Sequence, residues 1–291
     1  MKMNLTRRNF IQTAAISASA VMVPAISLPS EKRNESKTIT LNKNPLKLGL
    51  MTYQVGMKWN IETIIKNLTE AKYEHVELRT THAHGVEVTL SPAERAAVKK
   101  RFQDAGLAIS LASGYRYNSK DAAVLKKNIE GTKEYVLLAH DVGALGVRVF
   151  GDNANDDAML NQIGESLAEV GEFAHQNGVQ IRVCDDGPSL AMIKKNIDAS
   201  KCPYVTVNWN CPMSDTEGEG FEANFNSVKG RIGNIHLRDL YNEYPWRLFF
   251  SLLSKSGYTG YCDAEIPAFE GDAIRSLKYY RSLFLALQNA I

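Results

Sequence analysis

Residues 47–73, KLGLMTYQVGMKWNIETIIKNLTEAKY, hold one strand–turn–helix unit, and its turn decides the fold. The run Lys47–Tyr53 is short and apolar, as expected of a strand buried on both faces. After Asn60, the residues Ile61, Ile64, Ile65 and Leu68 recur at helical spacing within Ile61–Tyr73. An open doubly wound sheet that binds nucleotides wants a glycine-rich turn after its first strand. Here that turn reads Tyr53-Gln54-Val55-Gly56-Met57, which is not a phosphate cradle.

Seven more such units follow without a break. Strand runs are predicted at His75–Arg79, Leu107–Ser113, Val147–Phe150, Val179–Cys184, Tyr204–Asn210, Ile232–Leu237 and Gly260–Ile266. The helices between them carry their own punctuation. Ser91-Pro92-Ala93-Glu94 supplies an N-cap, a first-position proline and a capping glutamate. Gly106, Gly178 and Gly257 follow helices directly, the last after Trp246–Ser256, where a left-handed residue closes the final turn. The last helix, Asp272–Asn289, carries an apolar stripe through Ile274, Leu277, Tyr280, Leu283, Phe284 and Leu287. A run of β/α units predicts a parallel sheet. Eight of them predict a closed (β/α)₈ TIM barrel over residues 46–291.

The N-terminus reads differently. Thr6-Arg7-Arg8-Asn9-Phe10-Ile11 places twin arginines ahead of a weakly apolar stretch, and Ala25-Ile26-Ser27 offers small residues to a signal peptidase. Residues 1–27 are therefore expected to be a twin-arginine export signal and the mature protein periplasmic; the alternative is an uncleaved N-terminal anchor. The apolar run is too short and too rich in Ala and Ser for a comfortable span, so no stable membrane span remains after cleavage. Residues 28–45 are a polar, unpatterned leader. Cleavage after Ser27 removes Lys2, Arg7 and Arg8, so the 34 basic residues fall to 31 against 32 acidic ones. With no basic stripe interleaved with aromatics, nucleic-acid binding drops out. The four cysteines, at 184, 202, 211 and 262, form no CxxC pair.

In a TIM barrel the reacting groups come from the C-terminal strand ends and the loops after them. Those ends supply Glu77 and Arg79, with His82 and His84 beyond; Arg148; Cys184, Asp185 and Asp186; Asn208, Asn210 and Cys211; His236, Arg238 and Asp239; and Glu265. Glu77 and Arg79 could pair with each other across the rim. Arg148, inside a buried strand, needs a charged partner or an anionic ligand, because an unpaired buried charge is costly. His75 and His175 read as packing or surface histidines. Trp246 is either part of a sugar-stacking rim or core.

Ile235-His236-Leu237-Arg238-Asp239-Leu240, Tyr244-Pro245-Trp246, Gly257-Tyr258-Thr259-Gly260-Tyr261 and Ala264-Glu265 together resemble the closing segment of the sugar phosphate isomerase/epimerase group with xylose-isomerase-like barrels. The likeness spans residues 46–291. It implies a divalent metal, commonly Mn²⁺ or Mg²⁺, held by Glu, Asp, His and Glu from strands five to eight. In this chain His236 and Glu265 keep their places, whereas the strand-five position falls on Cys184 and the strand-six position on Asn210, with Asp186 where the family has a histidine. Hard cations want carboxylate oxygens, so the metal site should be sharply weakened or lost. Asp185 or Asp186 could substitute, Cys184 with His236 and Glu265 could suit zinc, or Cys184 and Cys211 could form a disulfide.

The resemblance implies proton transfer next to a sugar carbonyl through an enediolate, with Glu265 and His236 as the expected catalytic pair; the strand-end positions make Glu77, Arg79, His84, Arg148, Asp186, Asn210, Arg238 and Asp239 the expected substrate contacts. The expected ligand is a small-molecule sugar or glycoside, and the sequence leaves a homo-oligomer open. The loss of the strand-five carboxylate makes a two-base epimerase hard to write. It leaves a one-base isomerase, a lyase on a keto-sugar glycoside, or a carbohydrate-binding barrel without catalysis.

Overall fold

Strands buried on both faces must be short and evenly spaced, and those of this protein are four to six residues long. The computed structural model describes residues 42–268 and 271–290. The segment expected to be an export signal and most of the expected leader, residues 1–41, lie outside the described residues. The strands are β1 (Lys47–Met51), β2 (His75–Arg79), β3 (Ala108–Ala112), β4 (Gly146–Phe150), β5 (Gln180–Cys184), β6 (Val205–Trp209), β7 (Ile232–Leu237) and β8 (Tyr261–Ala264). The helices are α1 (Ile61–Ala71), α2 (Pro92–Asp104), α3 (Ala122–Val142), α4 (Asp157–Gln176), α5 (Leu190–Ser200), α6 (Phe221–Val228), α7 (Trp246–Lys255) and α8 (Ala273–Leu287).

All strands run parallel, each beside its sequence neighbours, and β8 closes on β1 through Lys47↔Tyr261 to Leu50↔Ala264. The eight units expected from the sequence are all present. The predicted strands overrun at several ends: Thr52 and Tyr53 after β1, and Glu265 and Ile266 after β8, leave the ladder because they belong to the loops that build the mouth. Local chemistry closes the helices as anticipated. Ser91 caps α2 in a full capping box, and Gly106, Gly178 and Gly257 take positive φ angles.

Outward-facing strand residues such as Leu48, Leu50, Val76, Leu78, Val147 and Val149 are buried against the helices. One sector is aromatic: Trp209, Phe221, Phe225, Tyr244, Trp246, Phe249 and Phe250 pack together under α6 and α7. Trp246 is 3% exposed and its indole Nε1 donates to Asn242 Oδ1 at 2.9 Å, so it is core and not a sugar platform. The inward-facing residues are unusual for a barrel, because nearly every layer is polar.

Candidate active site

The polar interior forms one connected chain. Near the mouth, Glu265 Oε2 lies 3.2 Å from Arg238 Nη1 and 3.5 Å from His236 Nδ1. On its other side His236 Nε2 meets Glu77 Oε1 at 3.0 Å. Asn234 Nδ2 then donates to both Glu77 Oε2 (3.1 Å) and Asp263 Oδ2 (2.8 Å). Below them, Asp263 Oδ1 pairs with His75 Nδ1 at 2.7 Å, His75 Nε2 with Ser110 Oγ at 2.9 Å, and Arg182 Nη1 donates to that same oxygen at 2.8 Å. Asp263, His75 and Ser110 stand in the order of a nucleophilic triad. All three are fully buried, however, and Arg182 covers the hydroxyl, so they tie the barrel together and do not meet substrate. His75 is thus a packed histidine, and His175 stacks on Tyr204 at 3.5 Å.

The electrostatics of the mouth follow from this geometry. Burial disfavours a charged His236, but the Glu77 carboxylate, with Cys184 and Glu265, outweighs it and holds the ring well above the ordinary histidine range. Asn208 Nδ2 faces His236 Nδ1 at 3.1 Å while Asn208 Oδ1 is buried without a partner. A half-turn of that amide lets the oxygen accept from the imidazolium Nδ1–H, so both groups are satisfied. Burial also pushes the Glu265 carboxyl up, yet His236, Arg238 and Arg148 prevail and hold it below the usual carboxylate range. Glu265 is therefore an ionised, partly exposed carboxylate backed by cations.

A small pocket of about 140 Å³ opens here, lined by Tyr53, Gln54, Arg238, Asp239, Glu265 and Ile266 among others. A larger cavity, about 800 Å³, opens at the N-terminal face beside Lys47, Gln180, Arg182 and Lys229. No carboxylate lines it, and that end of a TIM barrel is the stabilising one, so size does not locate the chemistry.

Several residues expected at the mouth are placed elsewhere. Glu77 is fully buried and bonds His236 and Asn234, so it is an internal partner of the imidazole and neither a substrate contact nor a mate for Arg79. Arg79 donates to Thr80 O at 2.9 Å and lies 5.6 Å from the Tyr53 ring centre. His84 spends both ring nitrogens on backbone, Arg79 O and Val86 N, and is buried in its loop. Asp186 is exposed outside the cluster. Asp185 turns away from the barrel axis: its Oδ1 accepts from Asn210 N at 2.6 Å, and burial together with the Asp215 charge pushes its carboxyl up to about 8. Neither aspartate replaces the lost ligands. Cys184 and Cys211 are free and buried, so no disulfide crosses the mouth. Arg238 and Asp239 line the pocket as expected. Asn234, Asp263 and Asp215 escaped the sequence reading, although Asn234-x-His236-x-Arg238 alternates polar residues through a buried strand, which marks a polar barrel interior.

A family model described as xylose isomerase-like TIM barrel matches residues 65–283. The chain belongs to the xylose isomerase-like TIM barrel family. No curated protein matches the chain. Among solved structures, an L-ribulose 3-epimerase superposes with a TM-score of 0.70 at 16% identity, covering 84% of this chain and 95% of the other. A 3-keto-D-glucoside 4-epimerase from E. coli gives 0.69 at 14% identity, covering 83% and 99%. A D-psicose 3-epimerase from Clostridium cellulolyticum H10 gives 0.65 at 12%, covering 84% and 96%. At these identities the likeness is one of fold.

Membership in the xylose isomerase-like family implies a divalent metal, and the donors present do not fit one at the inherited positions. Those positions hold one carboxylate (Glu265), one imidazole (His236), a thiol (Cys184) and an amide (Asn210), a poor set for a hard cation. Cys184 Sγ sits 3.8 Å from Asn208 Nδ2, and Asn210 Oδ1 is buried without a partner. Among the described residues, the one trio of His, Cys, Asp or Glu whose ligand atoms lie within 4.8 Å of one another is Glu77, His236 and Asp263, deeper in the barrel. That trio could accept an ion only in place of the Asn234 amide, which now bridges its two carboxylates.

Proposed function

We propose that this barrel is an exported sugar isomerase/epimerase-like enzyme that removes a proton next to a sugar carbonyl, with Glu265 as base. The observation that carries this reading is the arrangement of Glu265, ionised and partly open at the pocket, against His236 and Arg238. The three structural neighbours named above are sugar epimerases by description, which supports the substrate class. The twin arginines at Arg7 and Arg8 support export to the periplasm.

In the reaction, Glu265 takes the proton from the carbon beside the carbonyl. The C–H electron pair moves into the carbonyl and leaves an enediolate. Its negative oxygen is stabilised by the N–H donors of Arg238, which lines the pocket and is already oriented, with the buried His236 cation behind Glu265. Return of the proton to the former carbonyl carbon, with the hydroxyl proton passing from one enediolate oxygen to the other, completes an isomerisation. If the carbon on the other side of the deprotonated one carries a glycosidic oxygen, the enediolate instead re-forms the carbonyl, a C=C bond forms to that carbon and its C–O bond breaks, the leaving oxygen taking the proton held by Glu265, which is a lyase reaction. The absence of a carboxylate at Cys184 favours these one-base outcomes over a two-base inversion. Tyr53, 40% exposed beside the pocket, offers an aromatic face to the sugar ring.

The test is exchange of solvent deuterium into a panel of ketoses and 3-keto-glucosides, followed by NMR, with mature protein and its Glu265→Gln variant. Exchange by the wild type that falls by about 10²–10⁴-fold in the variant supports a general base at this position. Equal exchange by both proteins removes Glu265 from that role, and a folded wild type that exchanges none of the panel favours a binding barrel.

A further inference from the structure

The geometry points to a substrate that carries a carboxylate, an acidic sugar, with Arg148 as the residue that receives it. This deepens the sugar-enzyme reading and rests on it. Arg148 lies on β4 between Val147 and Val149, which pack outward against the helices, so its own side chain points into the barrel. It is 4% exposed. Its head stands at the mouth: Nη1 donates to Ser113 O at 2.9 Å and the guanidinium carbon lies 4.2 Å from the Phe150 ring centre, both at C-terminal strand ends.

What it lacks is a carboxylate in contact, although it is near enough to Glu265 to help hold that group ionised. Among the described residues no carboxylate lies within 4.0 Å of Arg148, its Nε is buried without a partner, and Nη2 has no acceptor. The neighbouring arginines differ. Arg116 has Asp152 at 3.1 Å and Arg238 has Glu265 at 3.2 Å; Arg182, the register partner of Arg148 on β5, has no carboxylate in contact either, but its Nε, Nη1 and Nη2 all find acceptors on Gln180 and Ser110. A buried guanidinium whose Nε–Nη2 edge has no acceptor is costly unless a ligand completes it. That edge presents two parallel N–H groups, the spacing that matches the two oxygens of a carboxylate. Phe150 behind it fixes the plane and keeps water from one face. A phosphate would want further donors, and no glycine-rich turn supplies backbone N–H groups here.

The experiment is calorimetric titration of the mature wild-type protein with D-glucuronate and D-galacturonate, with D-glucose and D-galactose as neutral counterparts, and with D-glucose 6-phosphate. The expected result is that at least one uronate binds tenfold or more tighter than its neutral counterpart. Arg148→Gln should erase that preference, lowering uronate affinity at least tenfold more than neutral-sugar affinity, and Arg148→Lys, which keeps the charge but not the fork, should retain only part of it. Neutral sugars binding the wild type as tightly as uronates would overturn the proposal and leave the sugar-enzyme reading standing. The phosphate ester binding tenfold tighter than either uronate would overturn the carboxylate assignment. No sugar of any kind binding would overturn both. Should Arg148→Gln fail to fold, the wild-type comparison and the lysine variant still decide.

Discussion

His236 Nε2 and Glu77 Oε1 meet at 3.0 Å across the barrel, from β7 and β2, with both side chains out of reach of water. This pair fixes the imidazole and its charge, and turns the other ring nitrogen toward Asn208 and Glu265. Glu77→Gln should therefore lower the His236 titration midpoint, read from ring-proton NMR against pH. It should destabilise the protein by about 3–5 kcal/mol, the usual result of breaking a buried pair on one side. A histidine raised on folding stabilises fully below its unfolded value, about 6.5, and loses that contribution as pH rises through the folded value. The stability gap between wild type and variant should accordingly narrow in alkali. A gap that is constant with pH would show that the pair is not charged.

Glu265 is held ionised by His236, Arg238 and Arg148 despite its burial. The acid limb of kcat/KM should therefore fall below the ordinary glutamate range. Arg238→Gln removes one of those cations and should move the limb upward. A limb unchanged in Arg238→Gln would mean that another group titrates.

Asp185 and Asp215 are carboxyls pushed up to about 8 and about 6, in both cases first by burial. A carboxyl whose folded value exceeds its unfolded value, about 3.9 for Asp, destabilises progressively as pH climbs from the lower to the higher value, with the full penalty above both. Asp185→Asn keeps an oxygen for Asn210 N and removes the penalty. Urea unfolding should show the variant more stable by about 1–3 kcal/mol in alkali, and by less in acid. A variant less stable in alkali would show that the carboxylate has a stabilising partner.

The donor set at the inherited metal positions predicts no stoichiometric Mn²⁺ or Mg²⁺ after dialysis of the purified wild type, by elemental analysis. Cys184→Glu with Asn210→Asp restores two carboxylates and should gain one equivalent of Mn²⁺. One equivalent in the wild type that disappears in Asp263→Asn would instead place an ion at Glu77, His236 and Asp263.

Gly49 leaves room for the interior network. A Cβ at this position would lie 1.9 Å from Asp263 Oδ1 and 2.9 Å from His75 Nδ1, both fully buried. Gly49→Ala should cost at least about 1–3 kcal/mol, the usual overpacking range, because it also breaks the Asp263–His75 contact. A melting temperature equal to wild type would mean that the network can repack.

Much of the mouth was legible from strand ends alone. Arg238, Asp239 and Glu265 fall where the end of a parallel strand must place them. His84 did not obey that logic, because loop geometry beyond β2 folds its ring back onto its own backbone. Asp186 failed for a related reason: one residue past Asp185, the β5 loop turns it to solvent.

The sequence by itself determined the barrel, since strand and helix periodicities, caps and the missing glycine-rich turn are local and repeat eight times. It also determined which residue types stand at the positions where the resemblance expects metal ligands, because Cys184 and Asn210 are identities and need no coordinates. Only the tertiary structure decided which polar side chains share the interior. Asn234 meets Glu77 across 157 residues and His75 meets Asp263 across 188, and no local pattern encodes a pairing of that range. Barrel closure brings those strands face to face, and the high cost of an unpaired buried polar group then selects the partners.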